Sequence, residues 1–297
     1  MEMEEKKYPD HPAYLEHLAE MIRIPTVSTA GYESQYHMEE FHTLLASLYP
    51  TLWKTAQIRK VGKALLFYIK GGGEKKPILF VAHMDVVAAE GEWKYPPFSG
   101  KIAEECIWGR GSLDMKGALC ALLEALEECL LQGMHFDRDI YLNLSCDEEI
   151  GGPTTEKIAR LLRKEQVSFE VVYDEGGTFV DHLLGKVKVR SAAVAIAEKG
   201  SAKVYLTART HGGRAANPPK GTPIARLSDF VHYVEHHPFF KKRVPEEILL
   251  MYEKSAPYMK GIDRLIYGNR CILKHFGRFY LEPSMLGTTI AFTITEG

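Results

Sequence analysis

The first apolar pattern lies between residues 11 and 23, where HPAYLEHLAEMIR sets Leu15, Leu18, Ala19 and Ile22 at helical spacing before Pro25 stops it. An opening helix is predicted. From Gln57 the pattern shortens: IRKVGKALLFYIK reads as a strand, GGGEKK as a turn, and PILFVAHMD as a buried strand ending in His83 and Asp85. After a loop carrying Trp93, Pro96, Pro97 and GRGSLD, the segment MKGALCALLEALEECLLQG is apolar on more than one face and closes at Gly133, as a largely buried helix would. DIYLNLSCDEE then reads as a strand running into a loop, TTEKIARLLRKEQ as a helix, and FEVVYDEGG as a further strand. This alternation predicts an α/β layer with a mainly parallel sheet flanked by helices. Acidic residues stand just past three of the strands, where open α/β sheets hold ligands.

The texture changes near Glu198. SAKVYLTART, a Gly/Pro loop, an amphipathic stretch through Val234 and a less regular tail follow, so residues 1–195 are expected to form one domain and 196–297 an α+β second one, with a last strand near Ile290 to Ile294. No internal repeat or low-complexity run interrupts either part.

Composition narrows the function classes. With 45% hydrophobic and 26% charged residues the 297-residue chain is ordinary globular material, and 37 basic against 39 acidic residues leave no electrostatic grip for nucleic acid or an anionic membrane. The five cysteines are odd in number and widely spaced, which argues against a disulfide framework or a Cys-x-x-Cys motif. Without a signal-peptide core or a long apolar run, a cytoplasmic protein acting on a small molecule or peptide is expected.

Four short segments hold the candidate chemistry: His83-Met84-Asp85, Asp114-Met115-Lys116-Gly117, Asp147-Glu148-Glu149 and Asp174-Glu175-Gly176-Gly177. Residues two apart in a strand share a face, so Asp85 is placed to orient the His83 imidazole; taken alone, the pair reads more readily as two strand-end caps. Asp114, at a loop–helix junction, suits either a helix cap or a carboxylate serving two cations. Of the adjacent Glu148 and Glu149, one can bind a metal while the other reaches its water, although a solvated acidic turn has the same sequence. Asp174 follows the apolar FEVVY and would be costly to bury alone. Together, one histidine and three carboxylates at strand or loop ends suit two divalent ions with nitrogen and oxygen ligands, zinc being favoured by the imidazole. The lysine of WGRGSLDMKG precedes its glycine and no Ser or Thr follows, so the segment is not a phosphate loop. His232, His236 and His237 read as a solvated face.

The strings AHMDVV, WKYPPFSG, GRGSLDMKG, DEEIGG and VYDEGG, in that order, resemble the zinc-dependent exopeptidases and amidohydrolases that include aminoacylase, carboxypeptidase S and the N-acyl amino acid hydrolases. AEKGS and NPPKGTPI resemble the inserted lid and dimerisation domain of that family. The resemblance implies that His83 and Asp174 bind one zinc, Glu149 the other, and Asp114 bridges them, with cobalt or manganese as alternative metals. It further implies that Asp85 orients His83, that Glu148 is the general base, that the Asp114–Met115 peptide bond is cis, and that the lid pairs two copies. The implied reaction is hydrolysis of a peptide at its C-terminus or of an N-acyl amino acid.

Two departures stand out. The family's last metal-binding histidine lies in a returning segment of the catalytic domain, and no such segment follows residue 297, so a C-terminally truncated chain is expected. The lid loop has Gly213-Arg214 where relatives usually have Gly-His, so Arg214, or His211 nearby, is the candidate for stabilising an oxyanion. The rival readings are an inactive metal-binding or dimerising remnant and a two-metal phosphoesterase; a single histidine and no basic phosphate grip count against the latter.

Overall fold

The computed structural model describes residues 12–29, 37–183, 186–196, 199–200, 202–217, 220–237 and 239–294. The chain divides into two compact units, Met1–Glu175 and Gly176–Gly297.

The first unit opens with three helices, α1 (Pro12–Arg23), α2 (Met38–Leu48) and α3 (Pro50–Thr55). His11, the expected start of the opening helix, lies outside the described residues. Strands β1 (Gln57–Val61), β2 (Ala64–Ile69) and β3 (Lys75–His83) follow, then the small antiparallel pair β4 (Lys101–Ala103) and β5 (Cys106–Trp108). Helix α4 (Lys116–Leu131), strand β6 (Arg138–Ser145), helix α5 (Thr154–Lys164) and strand β7 (Val171–Tyr173) complete it. IRKVGKALLFYIK is a hairpin of two strands and not one: Gly62, at φ 64°, supplies the positive dihedral that a two-residue turn requires.

The central sheet has the order β1-β2-β6-β3-β7. β3 pairs in parallel with β6 and β7, whereas β2 is antiparallel to both β6 and β1. Reversing direction twice brings β1 back into line with β6, so only β2 runs against the other four strands and the sheet is mainly parallel. β6 is buried continuously from Ile140 to Ser145, without the in–out alternation of a half-solvated strand, because both faces of the sheet are covered. Leu119, Leu123 and Leu126 of α4, Phe41 and Leu45 of α2, and Ile158 and Leu162 of α5 join Phe67, Leu142 and Leu144 of the sheet in one core.

In the second unit, β8 (Thr178–Val180) and β9 (Ser191–Ala193) form a hairpin, followed by α6 (Pro223–His236), α7 (Glu246–Ser255), α8 (Gly261–Tyr267) and α9 (Arg270–Phe276). Its core gathers Val187, Leu249, Tyr252, Met259, Tyr267 and Leu273, with Tyr252 stacked on Tyr267 at 4.9 Å. Val187 takes part in that core, which is why the unit begins upstream of residue 196, where the composition changes. The start of that change at Glu198 lies outside the described residues. The amphipathic stretch through Val234 is α6, capped by Thr222, whose hydroxyl accepts the Ala225 N–H.

The expected last strand is not formed: residues 290–294 have no regular structure, nor do 202–210. A strand needs a neighbour for its backbone groups, and these segments have no ladder partner among the described residues. Tyr205 and Ile294 are accordingly exposed.

Candidate active site

Parallel pairing decides where the candidate residues meet. In β3 and β6 the register sets His83 opposite Ser145, so the turn after β6 rises beside His83 and Asp85. β7 pairs Tyr173 with Phe80, and the residues that follow it come up on the other flank of β3. All three strands release their C-terminal ends on one edge, the usual ligand edge of such sheets.

His83 is buried, and its Nδ1 lies 2.8 Å from the main-chain oxygen of Asp85. A carbonyl only accepts, so Nδ1 carries a proton and Nε2 is turned toward the carboxylates. Nε2 is 2.9 Å from Oδ1 of Asp114, 3.2 Å from Oε2 of Glu175 and 4.0 Å from Oε2 of Glu148. The main-chain N–H of His83 points at Sδ of Met115, 3.1 Å away, and the Asp114–Met115 peptide bond is cis, as the resemblance implies.

The Asp85 carboxylate does more than face the imidazole, from which its Oδ1 is 3.6 Å distant. It accepts the hydroxyl of Ser28 at 2.7 Å and the N–H groups of Glu148 and Glu149, each at 3.2 Å. One buried anion thereby fixes both the histidine end of β3 and the glutamate turn after β6. That turn is also held from below, where the buried Asp147 carboxylate accepts the hydroxyl and N–H of Thr154 at the start of α5.

The electrostatics follow from this crowding. Burial opposes charge on His83, but hydrogen bonds and charge from Asp85 and Asp114 outweigh it and push the ring up to about 10. Burial also opposes charge on Asp85, yet His83, Ser28 and the Glu149 amide hold it below the ordinary carboxylate range. Glu148 is raised, by burial first and then by Asp85, Asp114 and Asp174, with His83 opposing. Glu149 is raised by burial, Asp114 and Glu148, and Glu175 by burial, Asp114 and Glu148. Several carboxylates that resist ionising together around one imidazole are a donor set that a divalent cation would satisfy.

Two ligand groups can be drawn. His83, Asp114 and Glu149 each present one donor atom, all within 4.8 Å of one another, and His83, Glu148 and Glu175 do the same. The residues therefore fit a metal ion with nitrogen and oxygen ligands. Asp174, the carboxylate that the resemblance assigns to His83, belongs to neither group; its Oδ1 accepts the N–H of Glu175 at 2.8 Å. Successive residues leaving a strand point to opposite faces, so one of Asp174 and Glu175 faces the imidazole, and here it is Glu175. His211 and Arg214 are exposed residues of the second unit, Arg214 forming an isolated backbone bridge with Asn217.

Sequence reasoning missed Ser28, Glu175 and Lys116. Ser28 lies far from the acidic segments and carries no local signal. Glu175 was legible as a strand-end acid, but adjacency to Asp174 gave no ground for choosing. Lys116, wholly buried, was read only against a phosphate loop; burial lowers its pKa to about 7, with Asp85 opposing.

Residues 79–269 match the family model described as peptidase family M20/M25/M40. The chain belongs to that family. Among its relatives, the N-fatty-acyl-amino acid synthase/hydrolase PM20D1 of Bos taurus is 33% identical over 294 residues, covering 95% of this chain and 58% of the relative. Carboxypeptidase S of Saccharomyces cerevisiae is 32% identical over 278 residues, covering 86% of this chain and 48% of its own length. The chain spans about half the length of the curated relatives it matches. Among solved structures, an M20 family metallo-carboxypeptidase of Sulfolobus solfataricus is 26% identical with a TM-score of 0.45, over 55% of this chain and 37% of that one. Among the described residues, no helix is long and apolar enough to cross a membrane.

Proposed function

We propose that the protein to which this chain belongs is a di-zinc hydrolase that cleaves the amide bond of an N-acyl amino acid or of a peptide at its C-terminus. The observation that carries the reading is the convergence on His83 Nε2 of carboxylates from three different chain segments. His83, Asp114 and Glu149 would hold metal, with Asp114 shared between two ions and Asp174 or Glu175 completing the set on the His83 side. A divalent ion held there would supply polarisation of the scissile carbonyl and activation of water near neutral pH.

The remaining chemistry falls to side chains. Glu148 is half-exposed beside His83, and its raised pKa suits a group that takes a proton from the attacking water and returns it to the leaving amine. Asp85 keeps the Glu148 and Glu149 amides in place while its carbonyl holds the imidazole. Arg214 or His211 would supply positive charge to the developing oxyanion, and the second unit would pair two copies. The N-acyl amino acid reading draws on the activity named for the bovine relative, and the peptide reading on the name of the yeast one. Cobalt or manganese would fit the same donors, and the odd, widely spaced cysteines favour a reducing cytoplasm.

The test is zinc content and hydrolysis of a panel of N-acyl amino acids and dipeptides by the wild-type chain and by Glu148→Gln. Two zinc ions per chain, turnover in the wild type, and a loss of at least about a hundredfold in the variant with zinc retained are expected. Zinc bound with no turnover of any substrate would favour the inactive metal-binding remnant.

A further inference from the structure

Lys116 opens α4 two residues after Asp114 and is wholly buried, which lysines seldom are without partners. Its Nζ donates to the carbonyl oxygen of Met21 at 2.9 Å and to that of Ile24 at 2.7 Å. It also lies 4.7 Å from the centroid of the Phe41 ring. The Met21 carbonyl lies in the last turn of α1 and that of Ile24 just past it, at the negative end of the helix dipole; the Ile24 oxygen also accepts the Thr26 N–H at 2.9 Å. Space for the lysine stem depends on Gly111: a Cβ there would stand 3.3 Å from Cδ of Lys116 and 2.8 Å from Cγ1 of Val86.

The chain that leaves α1 at Ile24 runs straight to the site. Thr26 donates its hydroxyl to the Met84 carbonyl at 2.6 Å, Val27 bridges Val86, and Ser28 donates to the Asp85 carboxylate. On the other side, Asp114 and Met115 immediately precede the lysine, and Met115 accepts the His83 N–H.

We infer that Lys116 is a positioning residue, tying the segment that carries Asp114 to the Ile24–Ser28 segment that braces Asp85. Through this tie it sets the distance between the Asp114 carboxylate and the Glu148–Glu149 turn. A neutral amine keeps two N–H donors, enough for both carbonyls, so the tie holds in either protonation state. The geometry stands by itself; its consequence for metal binding rests on the hydrolase reading above.

The experiment compares the wild-type chain, Lys116→Met, Phe41→Leu and a core control, Leu45→Ala, in chelator. Amide hydrogen exchange is followed by NMR at His83, Glu148 and Glu149, with Leu142 in the middle of β6 as the reference. Lys116→Met should speed exchange at the three site amides by about tenfold or more while Leu142 is unchanged, whereas Leu45→Ala should show no such selectivity. Equal acceleration at the site and at Leu142 in a folded Lys116→Met protein overturns the inference. Should that variant not fold, Phe41→Leu carries the test, with selective acceleration of about threefold expected and uniform acceleration overturning it. Zinc titration by calorimetry then reads the consequence: about ten- to a hundredfold weaker binding in Lys116→Met. A wild-type chain that binds no zinc would sink the hydrolase reading and leave the exchange result to judge Lys116.

Discussion

Ser28 donates its hydroxyl to Oδ2 of Asp85 across 2.7 Å, and both residues are buried. The bond joins the chain leaving α1 to the anion that organises the acidic turn. Ser28→Ala leaves one lone pair of a buried carboxylate without its partner while the two amide donors remain. A stability loss of about 1–2 kcal/mol is expected from urea denaturation, with zinc affinity falling by about tenfold. An unchanged denaturation midpoint would show that the hydroxyl is dispensable.

Gly152 marks a second constraint on the same turn. A Cβ at this position would sit 2.2 Å from Cγ and Oδ2 of Asp147, a buried side chain already held by Thr154. Gly152→Ala must therefore move the turn carrying Glu148 and Glu149. Thermal unfolding should register a loss of roughly 1–3 kcal/mol, and hydrolysis should fall further than the unfolded fraction explains. Wild-type activity in Gly152→Ala would mean that the turn tolerates displacement.

Asp174 and Glu175 compete for one role. The resemblance assigns the ligand to Asp174, whereas the structure turns Glu175 toward His83. Asp174→Ala and Glu175→Ala, each titrated with zinc, separate the two: the ligand's removal should weaken binding by about a hundredfold, and its neighbour's by severalfold at most. Equal losses would mean that both carboxylates serve the ion.

His42, buried in α2, gives the first unit an acid sensitivity unrelated to the site. Burial lowers its pKa below the ordinary 6.5, with the Glu39 carboxylate opposing. The unfolded chain therefore takes up the proton first as pH falls. Stability from the neutral ring is complete above 6.5 and is lost as pH drops through the folded-state value. His42→Leu should flatten the dependence of stability on pH in the range below 6.5. Parallel wild-type and variant curves over that range would count against a role for this ring.

Much of the first unit was legible because its signals are local. The helical spacing of Leu18 and Ile22, the closing Gly133 of α4 and the apolar runs of β3 and β6 each announce one element, and strand–helix alternation announces the parallel sheet. The hairpin of β1 and β2 was hidden, since a continuous apolar run reads as one strand unless Gly62 is taken as a turn. Helices α2 and α3 were passed over, although Met38, Phe41 and Leu45 stand at helical spacing. In the second unit the apolar stretch 290–294 looks like a strand, but strand formation depends on a neighbour that local sequence cannot supply.

The sequence by itself determined the kinds of groups at the site and the strand ends that carry them, because hydrophobic periodicity and residue chemistry act over a few neighbours. Only the tertiary structure decided how they are coupled. Register between β3 and β6 brings Asp85 under the Glu148 and Glu149 amides, Glu175 rather than Asp174 faces the imidazole, and Lys116 reaches across to α1. Those contacts join residues tens of positions apart, and their geometry comes from packing and backbone pairing across the whole unit.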